Sequence, residues 1–149
     1  MRALVYERAH GLEDFAITLA EIPEPTLREL DVLVDVLAIG INPGETFIRR
    51  TRSAEPGDRV LLGWEFAGVI VETGSGVRGF KTGDRVFGTG DMTRDGAWAE
   101  RVAVDHRIVA RIPETSRSLT LPPFRLARSL LGRPCSANRT ICQSGSNGC

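Results

Sequence analysis

The sequence predicts a mainly β domain, a barrel or a sandwich, over residues 1–114. Three observations carry that expectation. About seven short runs rich in branched and aromatic residues follow one another at close spacing. Each is bounded by Gly, Pro, Asp or Ser, the residues that supply turn geometry. No helical pattern of 10–15 residues separates them, so a parallel sheet with helical crossovers is excluded.

In chain order, the first runs are Arg2–Tyr6 and Phe15–Ile22. Pro23, Pro25 and Pro43 bracket a longer one, Val32–Ile41, apolar throughout except at Asp35. Phe66–Thr73, Asp84–Gly88, Ala97–Val104 and Ile108–Ile112 complete the set. Gly83-Asp84-Arg85-Val86 reads as a turn releasing into a strand, and Gly57-Asp58-Arg59-Val60 reads the same way. The exception to the β pattern is Gly44–Thr51, where Glu45 and Thr46 can start a helical turn with Phe47 and Ile48 facing inward. Tyr6, the sole tyrosine, lies in the first run and reads as structural.

Charge divides the 149 residues at Thr115. The 19 basic and 19 acidic side chains sum to zero, yet all 19 acids lie in residues 1–114. The remaining 35 residues hold five arginines and all three cysteines, Cys135, Cys142 and Cys149. Neutrality argues against a nucleic-acid or anionic-membrane partner. No stretch approaches the 18–20 apolar residues of a membrane helix, and the start is too quickly charged for a signal peptide. The expectation is a reducing cytoplasm, where the cysteines need not pair and the sequon-like Asn138-Arg139-Thr140 is silent. The seven-residue cysteine spacing matches no zinc pattern.

Gly74-Ser75-Gly76-Val77-Arg78-Gly79 spells G-x-G-x-x-G after a strand-like run. A dinucleotide fingerprint must open a helix whose first amides meet the pyrophosphate. Here another turn and another strand follow, so these glycines read as turn residues.

Gly63–Gly88, GWEFAGVIVETGSGVRGFKTGDRVFG, resembles the signature block of the medium-chain dehydrogenase/reductase superfamily. Gly40–Arg49, GINPGETFIR, is similar to the G-x-N-P-x-D-x-x-x-R run of its zinc-free quinone oxidoreductase branch. The opening MRALVYE, the acidic-proline turn Glu21–Pro25, and Gly96–Val104 leading to Arg111-Ile112-Pro113 fit the same family. The short Arg49–Gly63 connection and GWE look most like the subgroup often labelled zinc-binding alcohol dehydrogenase family protein. The resemblance implies a GroES-like, partly open β-barrel with short helical turns over residues 1–114. An irregular tail would follow it.

The same resemblance implies NADPH as cofactor and hydride transfer to a quinone or to the β-carbon of an enone or related carbonyl compound. It nominates Asn42, Glu45 and Trp64 as catalytic candidates. Asn42, Pro43, Arg49, Trp64 and Glu65 are its cofactor-side candidates, with Asn42 beside the nicotinamide and Glu45 and Arg49 on the cleft wall. Each has a plainer reading: Asn42-Pro43-Gly44 as a turn, Trp64 as a core aromatic, Arg49 and Arg50 as surface charge. Zinc is not expected. The first zinc cysteine of the metal-dependent branch falls at Asn42 and its histidine at Trp64; amide oxygen is a poor ligand and indole offers no lone pair. Phe87–Trp98 holds no structural-zinc cysteines, and His10 and His106 lie far apart.

In the family a Rossmann domain follows, entered through an alanine-bearing helix. After Ile112-Pro113-Glu114-Thr115 this chain instead runs into Ser, Arg, Pro, Leu and Cys, with a short amphipathic stretch at Phe124–Leu131 ended by Gly132-Arg133-Pro134. The tail, residues 115–149, is read as an out-of-frame translation of that second domain, or else as a natural basic extension. Three functions compete: half of an NADPH-linked oxidoreductase, inactive by itself; a stand-alone GroES-like binding module; and, on fold alone, a co-chaperonin relative. Expected partners are a small quinone or enone, with no nucleic acid and no membrane, and a homodimer as the candidate assembly.

Overall fold

Alternating burial and turn chemistry bring the runs together as antiparallel strands in two sheets. The computed structural model describes residues 1–113. β1 (Arg2–Tyr6) pairs on one side with β2 (Thr18–Glu21) and on the other with β4 (Val60–Leu61). The second sheet has the order β7-β3-β5-β6-β8, built from β3 (Asp31–Gly40), β5 (Glu65–Thr73), β6 (Arg85–Thr89), β7 (Arg101–Asp105) and β8 (Val109–Arg111). The two sheets do not close on one another, which gives the partly open barrel that the family resemblance implies. The 3₁₀ turn His106–Ile108 leads into β8. The single α-helix of the described residues, α1 (Pro43–Thr51), connects β3 to the β4 strand. The tail expectations, including the stretch at Phe124–Leu131, fall outside the described residues.

β5 shows the expected alternation, with Phe66, Gly68 and Ile70 buried between half-exposed neighbours. β3 does not alternate, and its register explains why. Val36 pairs with Gly68 and Ala38 with Ala67, leaving Leu37 as an extra residue that is 38% exposed. A bulge shifts the side-chain phase by one. The inward set therefore runs Val32, Val34, Val36 and then Ile39. A continuous apolar run in the sequence is thus one strand whose inward face changes parity part-way.

The main core joins those four residues to Phe66, Ile70, Val77, Val86, Ala97, Val102 and Val104. A second cluster holds Ala3, Val5, Leu61 and Ala99, and a third holds Tyr6, Val60 and Leu62. The Trp98 indole packs against all three. Ile70 is fully enclosed. Its replacement by valine removes one methylene from a packed site and is expected to cost about 1 kcal/mol in chemical denaturation.

Two sequence expectations are corrected, and one is sharpened. Phe47 faces outward, 65% exposed, because α1 turns its buried face through Glu45 and Arg49; Ile48 alone of the expected pair packs inward, against the Tyr6 cluster. The strand expected after the Gly57–Arg59 turn is the two-residue Val60–Leu61, which pairs with the free side of β1. Ala97–Val104 begins as a strand only at Arg101; Ala99 makes an isolated bridge to Ala3, tying one sheet to the other. The G-x-G-x-x-G segment is a turn: the Val77 amide donates to the Gly74 carbonyl (3.1 Å), and β6 follows with no intervening helix.

Candidate functional site

Asn42 opens α1 in an extended conformation with Pro43 at the first helical position, where a missing N–H costs nothing. The chain reaches this point from the end of β3. Across from it, Leu62-Gly63-Trp64 leaves β4 and enters β5. Gly63 has φ +113°, and a Cβ there would lie 2.6–2.7 Å from the backbone nitrogens of Trp98 and Ala97. Only glycine lets this segment lie against residues 96–98. Three backbone bonds fix it there: Gly96 to Leu61 (3.1 Å), Trp98 to Leu62 (2.9 Å) and Ala97 to Gly63 (2.8 Å), each donating its N–H to the carbonyl.

One carboxylate holds the two segments together. Glu45 Oε2 accepts the Asn42 N–H at 2.8 Å, and Oε1 accepts the Trp64 N–H at 3.1 Å. The side chain is 1% exposed. Burial pushes its carboxyl above the ordinary glutamate range; the two amides offset part of that, and the nearby Glu65 charge pushes it up further. The Trp64 ring lies against the first turn of α1, with its edge 3.2 Å from where a Cβ on Gly44 would be. Glu65 folds its side chain over Gly40, its partner across the β3–β5 ladder.

The sequence candidates therefore separate into two groups. Asn42, Pro43, Trp64 and Glu65 share one surface: Asn42 and Trp64 are half-buried, Pro43 and Glu65 exposed. Glu45 and Arg49 are both buried. They point into the protein from the opposite face of α1, because i and i+4 share a side of a helix, and Arg49 is 5% exposed. Both Glu45 oxygens are engaged by backbone amides, and Arg50, next to Arg49, is exposed charge. Trp64 is neither a plain core aromatic nor a free surface ring. Among the described residues no three His, Cys, Asp or Glu side chains converge so as to hold a metal ion. No helix among them is long and apolar enough to cross a membrane.

The sequence pointed to no residue of a second feature, a polar groove of about 380 Å³ lined by Arg28, Arg52, Asp58, Arg59, Arg94 and Asp95 among others. These side chains come from three separate loops, so no local spacing announces them.

The alcohol dehydrogenase GroES-like domain matches residues 28–114. The chain belongs to that family. The quinone oxidoreductase of Lama guanicoe is 33% identical over 99% of this chain and 46% of its own length. Among solved structures, an alcohol dehydrogenase superfamily protein from Novosphingobium aromaticivorans is 32% identical with a TM-score of 0.66, covering 76% of this chain and 34% of its own. The Escherichia coli quinone oxidoreductase complexed with NADPH is 24% identical with a TM-score of 0.65, a likeness of fold, over 77% of this chain and 34% of its own. This GroES-like chain thus spans less than half the length of these relatives, which are oxidoreductases of the medium-chain dehydrogenase/reductase type.

Proposed function

We propose that this GroES-like domain forms one wall of the active site of an NADPH-dependent, zinc-free oxidoreductase that reduces a quinone or an enone. The observation that carries the reading is the Glu45 carboxylate fastening the Asn42 and Trp64 backbones to one another. It gathers an amide side chain and an aromatic ring, the only such pair the motifs nominate, at one surface. The names of the relatives support the substrate class and the cofactor.

The residues fit a planar, amide-bearing ring. Asn42 offers a donor and an acceptor, and Trp64 offers an aromatic face braced against the helix. NADPH, when bound, would supply the hydride. Pro43 and Trp64 would keep water from its nicotinamide, while Asn42 would orient it. A developing oxyanion on the substrate would be met by hydrogen-bond donors. A catalytic zinc does not fit this surface: an amide and an indole stand at its two nominated positions, and no step is assigned to a metal.

Titration of the ¹⁵N-labelled 149-residue chain with NADPH tests the reading. Weak binding without turnover is expected, with chemical-shift changes centred on Asn42, Gly44 and the Trp64 indole. Asn42→Ala should weaken binding about fivefold, the equivalent of one hydrogen bond. Shifts scattered elsewhere, or shifts indifferent to Asn42→Ala, would sink it.

A further inference from the structure

The far side of α1 carries a charge without a counter-charge. Arg49 is 95% enclosed, its Nη2 meets no hydrogen-bond partner, and no carboxylate among the described residues lies within ion-pair distance. Its guanidinium instead stands 5.9 Å from the centre of the Phe15 ring. A guanidinium cannot shed its proton, so burial without a partner costs several kcal/mol, on the order found for isolated internal ions.

A second orphan sits against the same ring. His10 is 4% exposed and packs edge-on to Phe15 at 5.7 Å and to Tyr6 at 5.1 Å. Its backbone N–H donates to the Arg49 carbonyl at 3.0 Å. Nδ1 lies 3.0 Å from the Arg8 carbonyl, which can only accept, so Nδ1 carries a hydrogen. Nε2 is enclosed and without a partner.

We propose that Arg49 and His10 form a binding site for a phosphate group, free or as a monoester, beneath Phe15. The negative oxygens would meet the Arg49 fork, and a protonated phosphate oxygen would donate to Nε2. The cations nearby favour an anion, and the carboxylates nearby are engaged elsewhere. Arg52 and Arg49 both act on Tyr6 electrostatically. Asp14 is tied to Arg8 (2.7 Å), Glu45 is held by two amides, and Glu13 folds over Gly11. The cover is a short exposed segment: Phe15 is 62% and Leu12 70% exposed, and residues 11–17 belong to no strand or helix. This site is separate from the Asn42–Trp64 surface and stands or falls without it.

The test compares thermal melts of the full chain in sodium phosphate with melts in sodium chloride of equal ionic strength. A saturable rise in Tm specific to phosphate is expected, absent in Arg49→Gln and retained in Arg50→Gln. Should Arg49→Gln not fold, the Nε–H resonance of Arg49 in the wild-type chain decides: it should move on phosphate addition. Displacement of phosphate by NADPH but not by NADH would trace the group to the nucleotide; displacement by neither would trace it to a free or substrate-borne phosphate. No phosphate-specific stabilisation, a rise that survives Arg49→Gln, or an unmoved Arg49 resonance would overturn the proposal.

Discussion

Asp31→Asn is expected to lower the unfolding free energy by about 3 kcal/mol, the cost of breaking a buried pair and stranding one charge. Asp31 is 2% exposed at the start of β3. Arg94 holds both its oxygens, at 3.0 and 2.6 Å, and the Arg28 amide adds a third bond at 3.1 Å. Its main chain is equally committed, donating to the Arg28 carbonyl and accepting from Gly74. Burial would raise the Asp31 carboxyl, but the Arg94 and Arg28 hydrogen bonds outweigh it and hold the group below the ordinary aspartate range. A depressed carboxylate stabilises above its unfolded pKa and loses that contribution as pH falls through the folded one. Urea melts should therefore show wild type and Asp31→Asn converging as the solution is acidified, and a constant gap would refute the pairing as the source.

Glu45→Ala is the second large effect, and its pH signature has the opposite sign. Truncation leaves the Asn42 and Trp64 amides without acceptors, at about 1–3 kcal/mol for each buried donor. Part of that loss is returned because the buried charge disappears. A net destabilisation of about 2 kcal/mol is expected. The raised carboxyl means that the folded protein holds its proton longer than the unfolded chain. Stability from this group is fullest below the unfolded glutamate pKa and declines as pH rises through the folded value. Glu45→Gln should flatten that decline, while presenting one amide with a donor in place of an acceptor. Disorder of residues 42–44 and 63–65 by hydrogen exchange would accompany Glu45→Ala; unchanged protection there would show that the carboxylate does not position the two segments.

These two residues mark where reading along the chain succeeds and where it stops. The strands were legible because period-two burial and turn residues are local, and the bulged β3 was found despite its lost alternation because it stayed apolar. Phe47 was misplaced because an apolar residue on a nine-residue helix says nothing about which face meets the core. Val60–Leu61 is announced by the turn before it, but its pairing with β1 depends on a strand far earlier in the chain. Asn42, Glu45 and Trp64 are nominated by motif alone, and in the structure the Glu45 carboxylate joins the other two backbones. The motif could not say that Glu45 works from inside, since that depends on a contact across 19 residues. No motif announces His10 or links it to Arg49; what they share is a buried nitrogen without a partner, His10 Nε2 and Arg49 Nη2.

Trp98 gives the last consequence. Its ring touches the core of each sheet and the cluster beneath α1, and the preceding loop threads the β4 segment. Neither sheet can shed its packing without loosening the ring that the other sheet leans on. The two sheets should therefore behave as one cooperative unit, with far-ultraviolet ellipticity and indole emission tracing superimposable melting curves. Loss of that single ring should convert one transition into two.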